Sequence, residues 1–162
     1  MEENKKFDEN IQRKIDKTNE RKNIDTLNEI YRNTQMGKTA LEHVIKKVNN
    51  AELKEMLLRQ YDGFDALSVK IASELTRSGE TPRPTSSFQN MMLKTSIGMN
   101  SFMDDTVSNL ADMVIKGNNT GITEINKSLN DNRKFLTEET NSLAVELLEM
   151  EQRNIDALKR YL

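Results

Sequence analysis

Apolar residues recur along most of the chain at intervals of three and four, the spacing of one face of an α-helix. From about residue 24 to 48 the stripe reads Leu27, Tyr31, Thr34, Lys38, Leu41, Ile45, Val48. It stops at Asn49-Asn50, where Asn50 is placed to cap a second helix carrying Glu52 in its first turn. That helix is predicted over 51–77, with the stripe Leu53, Leu57, Tyr61, Phe64, Ser68, Ile71, Leu75 and Gly79 as its stop. So short a link forces the two helices into an antiparallel hairpin.

Residues 79–85, Gly-Glu-Thr-Pro-Arg-Pro-Thr, form the one clear loop. Beyond it Phe88, Met92, Thr95 and Met99 are again helix-spaced, with Gly98 as a weakness. From Met103 a stripe runs through Val107, Leu110, Val114, Gly117, Gly121, Ile125 and Leu129. The period passes through both glycines, which predicts a continuous helix with Gly117 and Gly121 facing inward under a close neighbour. A turn is expected within 131–137, then a last helix on Leu143, Leu147, Met150, Asn154 and Leu158. Its charged residues, Glu138, Glu139, Glu146, Glu149, Glu151 and Asp156 among them, mark an outer, solvated face. Residues 1–23 carry seven basic and six acidic side chains around Phe7, Ile11 and Ile15, and read as a flexible or short-helical extension. No period-two apolar alternation appears, so the fold class is all-α: a charged extension over 1–23 and a four-helix bundle over 24–162.

Composition narrows the function classes. Charge is nearly balanced, 24 basic against 26 acidic residues, which argues against a nucleic acid or an anionic membrane as partner. There is no cysteine, hence no disulfide or thiolate chemistry. Neither a secretory leader nor a run of membrane-spanning length occurs, so the expected location is the cytoplasm. The single histidine, His43, is expected at the surface or rim, and no complete nucleophile, phosphate-binding or zinc motif is present. Of the nine methionines, Met91, Met92, Met99, Met103 and Met113 cluster in the third quarter, as core filling or as an adaptable contact surface.

The two halves resemble each other. Met36-Gly37-Lys38, a turn twelve residues after the glycine, and Asp65-Ala-Leu-Ser68 are echoed by Thr120-Gly121-Ile122, a turn at similar spacing, and Glu151-Gln-Arg-Asn154. The glycine-to-acid separations are 28 and 30 residues. This pattern, with Gln-Met-Gly, Gly-Met-Asn and Thr-Gly-Ile, resembles the ferritin-like superfamily, closest to a diverged branch of small bacterial proteins of unknown function. The resemblance implies two helix hairpins joined by a long crossover at residues 79–100. It also implies a metal site built from a Glu on the first helix of each hairpin and a Glu-x-x-His on the second.

At those positions the chain departs from the pattern. Lys38 and Ile122 stand where each Glu is expected, and Asp65-x-x-Ser68 and Glu151-x-x-Asn154 where each Glu-x-x-His is expected. Both histidines are gone and a cation is added, which disfavours a carboxylate-bridged metal pair. The expectation is therefore a protein without enzymatic activity, catalytic residues, metal, cofactor or small-molecule substrate. The resemblance implies a structural or protein-interaction module, self-associating or binding another protein, in a spore- or stress-associated role. The rival reading is an enzyme or a metal-binding, metal-storage protein with an unorthodox site built from Asp65, Glu151 and neighbours such as Glu42. Lys38 lies on the apolar stripe, where an unpaired ammonium is costly. It is expected to fill the emptied metal site, paired with Asp65 and with Glu151 as a second anion. The alternative is that Lys38 runs along Gly37 into solvent.

Overall fold

The computed structural model describes residues 2–83 and 105–162, with side chains from residue 8 onward. Among the described residues there are four α-helices: α1 (Glu2–Ile45), α2 (Ala51–Arg77), α3 (Val107–Asn132) and α4 (Glu138–Leu158). The expected helical spacing over Phe88 to Met99 falls outside the described residues. So do the methionines of the cluster except Met113, which is buried.

The helix expected from about residue 24 begins at Glu2. No Gly or Pro occurs before Gly37, and Glu, Lys, Arg and Gln are good helix formers, so nothing interrupts propagation into the charged segment. Local bonds help: Gln12 donates to Asp16 at 2.9 Å and the Thr18 hydroxyl to the Lys14 carbonyl at 2.9 Å. Residues 8–18 are nonetheless exposed, because the other helices do not reach them. With a rise of about 1.5 Å per residue, residues 2–16 extend about 20 Å past the bundle.

The other boundaries follow from caps. α2 covers the predicted span, its first turn held by Asn50 Oδ1 accepting from the Leu53 amide at 2.8 Å. It stops at Gly79, whose φ of 77° is open to glycine at little cost. Thr106 caps α3 and Thr137 caps α4, each hydroxyl accepting a main-chain N–H three residues on, at 3.3 and 3.2 Å. The turn expected within 131–137 is a 3-10 turn at Arg133–Phe135. α3 runs unbroken through Gly117 and Gly121, as its periodicity predicts.

Pairings fix the directions. Lys38 meets Asp65 and Glu42 meets Tyr61, so α1 and α2 are antiparallel. Asn118 meets Asn154 in an antiparallel α3–α4 pair. Ser128 meets Glu29 and Asp105 meets Lys47 at 3.0 Å, which sets α3 antiparallel to α1 and hence parallel to α2. α2 ends beside Asp25, at the end of the bundle opposite the start of α3. The crossover expected over 79–100 lies outside the described residues beyond residue 83. The core is aliphatic, with Leu27, Ile30, Leu57, Ile71, Leu75, Ala144, Leu147 and Leu158 fully enclosed.

Candidate functional site

The two glycines at the middle of the bundle set its central layer. A Cβ on Gly37 would lie 2.8 Å from both Cε1 and Cζ of Phe64, so the ring rests on the bare backbone of α1. A Cβ on Gly121 would collide with Oε1 of Glu151 and lie 2.9 Å from its Cδ, so a carboxyl rests on the bare backbone of α3. Each hairpin thus seats one large side chain of its second helix on a glycine of its first. In one hairpin that side chain is aromatic, in the other acidic. Gly117, expected to face inward as well, has nothing within 4 Å of a Cβ; only Gly121 is a close-packing position.

Lys38 pairs with Asp65, as expected, but at the rim of the first hairpin rather than in the bundle centre. The Lys38 side chain is 16% exposed and that of Asp65 is 50% exposed. The reason is register: Phe64, one residue earlier, takes the inward direction on Gly37 and turns Asp65 outward. Burial by itself lowers the affinity of Lys38 for its proton, and the hydrogen bond and charge of Asp65 more than offset this, leaving its pKa raised. The ammonium also lies 5.5 Å from the centre of the Tyr61 ring, and the Tyr61 hydroxyl donates to Glu42 at 3.1 Å. The Ser68 hydroxyl donates locally, to the Asp65 carbonyl at 2.7 Å.

Glu151 is placed differently from both expectations. It neither joins Lys38 nor belongs to the solvated face of α4: it is 2% exposed, and its Oε2 has no hydrogen-bond partner among the described residues. Burial pushes its carboxyl up to about 8, and the charge of Glu124 on α3 pushes in the same direction. At neutral pH it is therefore mostly the uncharged acid, the form that a site without a cation tolerates. The signal was in the sequence: Thr140, Leu143, Leu147, Glu151, Asn154 and Leu158 step by three and four, a buried stripe that includes the acid.

A buried polar network lies one turn away. Gln60 donates to the Asn154 carbonyl at 3.3 Å, Asn154 to Asn118 Oδ1 at 3.5 Å, and Asn118 to the Val114 carbonyl at 2.8 Å. Gln60 and Asn118 had not been singled out from sequence, since amides on a stripe read as interruptions. Ile122 is partly buried, and His43 sits half-buried at the rim with Nδ1 2.8 Å from the Thr39 carbonyl. Between α1 and α3 a cavity of about 340 Å³ is lined by Glu29, Arg32, Asn33, Met36 and Glu124, among others.

Of the carboxylates in the rival reading, Asp65 and Glu42 share the Lys38–Tyr61 cluster while Glu151 faces Gly121. Among the described residues no three His, Asp or Glu side chains group closely enough to hold a metal ion, and no helix is long and apolar enough to cross a membrane. No curated protein and no solved structure matches this chain. A family model does match residues 22–131, the span from the start of the enclosed part of α1 to the end of α3. With more than half of its length covered, the protein belongs to that family, which is described as a domain of unknown function, DUF2383.

Proposed function

We propose that this protein is a ferritin-like helical bundle without enzymatic activity, a structural or protein-interaction module that self-associates. The observation that carries this reading is the free end of α1. Over residues 8–18 every side chain is exposed, and Ile11 and Ile15, one turn apart on the same face, stand 43% and 46% exposed. An isolated helix of this length is marginal in water, and the apolar face on it has no partner among the described residues. A second copy supplies both the packing and the partner. A cytoplasmic, spore- or stress-associated setting is what the resemblance to small bacterial proteins suggests.

The ferritin-like part rests on the parallel run of α2 and α3 and on the paired glycine seats at the bundle centre. The metal pair of that superfamily does not fit the residues present. Phe64 fills the inward position of the first hairpin, Asp65 is neutralised by Lys38, and Glu151 is an isolated acid pressed on Gly121. Two divalent ions need several anionic oxygens converging on one point.

Light scattering coupled to size exclusion tests the reading, on the full chain and on the double variant Ile11→Asp, Ile15→Asp. The expected result is a discrete oligomer for the parent and a monomer for the variant, with the four-helix core still folded and helix lost only at the free end of α1. A parent that is monomeric at high micromolar concentration removes the self-association reading. Stoichiometric iron or manganese in protein purified from supplemented cells removes the metal-free one.

A further inference from the structure

Residues 117–121 of α3 read Gly-Asn-Asn-Thr-Gly, five consecutive residues with poor intrinsic preference for helix. Tertiary packing must hold them helical, and it does so through Asn118 and Gly121, the two buried residues among them. Gly117 meets nothing and Asn119 is exposed, whereas Gly121 bears on Glu151 and Asn118 accepts from Asn154. The weak stretch of α3 is therefore the cover over the buried carboxyl of α4.

That carboxyl is poorly placed to hold a negative charge. Its Oε2 is enclosed without a donor among the described residues. Among the described residues the one charged group acting on it is Glu124 of α3, of the same sign. On α1, Glu29 and Arg32 line the cavity beside Glu124 without being among the charges acting on Glu151, and Lys38 of α1 and Asp65 of α2 neutralise each other at the rim of the other hairpin. An ionised Glu151 must reach water, and the stretch lying directly against its carboxyl is the glycine-bounded one of α3.

We propose that Glu151 and residues 117–121 form a proton-controlled latch. The protonated acid is held under Gly121, and loss of the proton opens this stretch of α3 so that the carboxylate is hydrated. Opening is local, since α2 packs on the aliphatic core and the Gly37–Phe64 seat carries no titratable group. It exposes the centre of the α3–α4 hairpin at mildly alkaline pH and closes it again on acidification.

Amide hydrogen exchange measured by NMR between pH 5 and 9, corrected for the intrinsic pH dependence of exchange, tests the latch. Opening coupled to release of one proton predicts protection at residues 118–122 falling about tenfold per pH unit, then levelling above about pH 8. Amides of α2 at 64–71 keep their protection, and Glu151→Gln abolishes the pH dependence at 118–122. A pH-independent parent, the same slope in Glu151→Gln, or an equal loss in all four helices overturns the latch. Should Glu151→Gln fail to fold, Gly117→Ala serves. It strengthens the cover without steric conflict and should raise protection there about fivefold with the slope retained. No gain there overturns the proposal, as does recovery of protection at pH 9 on adding manganese, since a metal would then be what the carboxylate awaits.

Discussion

Replacing Gly37 by Ala and Gly117 by Ala is the same chemical change at two interior helix positions, and the structure assigns the two opposite signs. In a helix interior Ala is favoured over Gly by about 1 kcal/mol. At Gly117 the new methyl meets nothing within 4 Å, so the gain is expected almost in full. At Gly37 the methyl would sit 2.8 Å from two carbons of the Phe64 ring and 3.1 Å from a third. Carbon atoms prefer separations of about 3.5–4.0 Å, so ring or helix must retreat by about 0.7 Å or more. Phe64 is fully enclosed and rigid, and overpacking of this kind costs about 1–3 kcal/mol. Set against the propensity gain, Gly37→Ala should be neutral to destabilising by about 2 kcal/mol. The gap between the two variants isolates the clash, about 1–3 kcal/mol. For a domain of this size that is a gap of roughly 2–12 °C in Tm. Thermal and urea unfolding measured side by side read it directly. Adding Phe64→Leu to Gly37→Ala should recover part of the loss by removing ring atoms. If Gly37→Ala stabilises as much as Gly117→Ala, Phe64 does not rest on Gly37 and the central layer is wrong.

Further outcomes follow from other contacts. Asp65→Asn should destabilise by about 1–2 kcal/mol because it strands the mostly enclosed Lys38 ammonium. Lys38→Met should cost less, since the half-exposed Asp65 is hydrated. The double variant should show a coupling of about 1 kcal/mol or less, and strictly additive melts would refute the pair. Thr137→Ala removes the cap of α4 and should cost about 1 kcal/mol by urea titration, while Thr137→Ser should cost little. Glu151 makes stability depend on pH in the direction opposite to a salt-bridged acid. Its proton is held up to about pH 8 when folded and released near 4.5 when unfolded, so stability is highest below 4.5. Its contribution falls by about 1.4 kcal/mol per pH unit between those values and is level above. The Tm difference between Glu151→Gln and the parent should therefore grow from pH 5 to 8, and a constant difference would refute the buried acid.

The helices were legible in the chain because burial on one face imposes a 3.6-residue period on apolar residues whatever their partners. That period set α2 at its observed bounds and carried α3 through both glycines. Asn50 was legible as a cap because short polar side chains satisfy free amides locally. The length of α1 was less so. The packed apolar stripe ends near residue 24, but a charged helix with only Phe7, Ile11 and Ile15 as large apolar residues continues from it, because nucleation is already complete. What faced what could be decided only by tertiary structure. Neighbouring residues on a helix differ by about 100° in direction, and the apolar spacing pointed to Phe64 where the superfamily pattern pointed to Asp65 for the inward position over Gly37. The steric fit of a ring to a bare glycine backbone made that choice, and it sent Lys38 and Asp65 to the rim. For Glu151 the sequence offered two incompatible readings, outer-face acid and metal-site remnant. Its place on the buried stripe favoured the core, but only the lack of a facing cation among the described residues, set by how α3 and α4 pack, makes it a neutral acid rather than half of an ion pair.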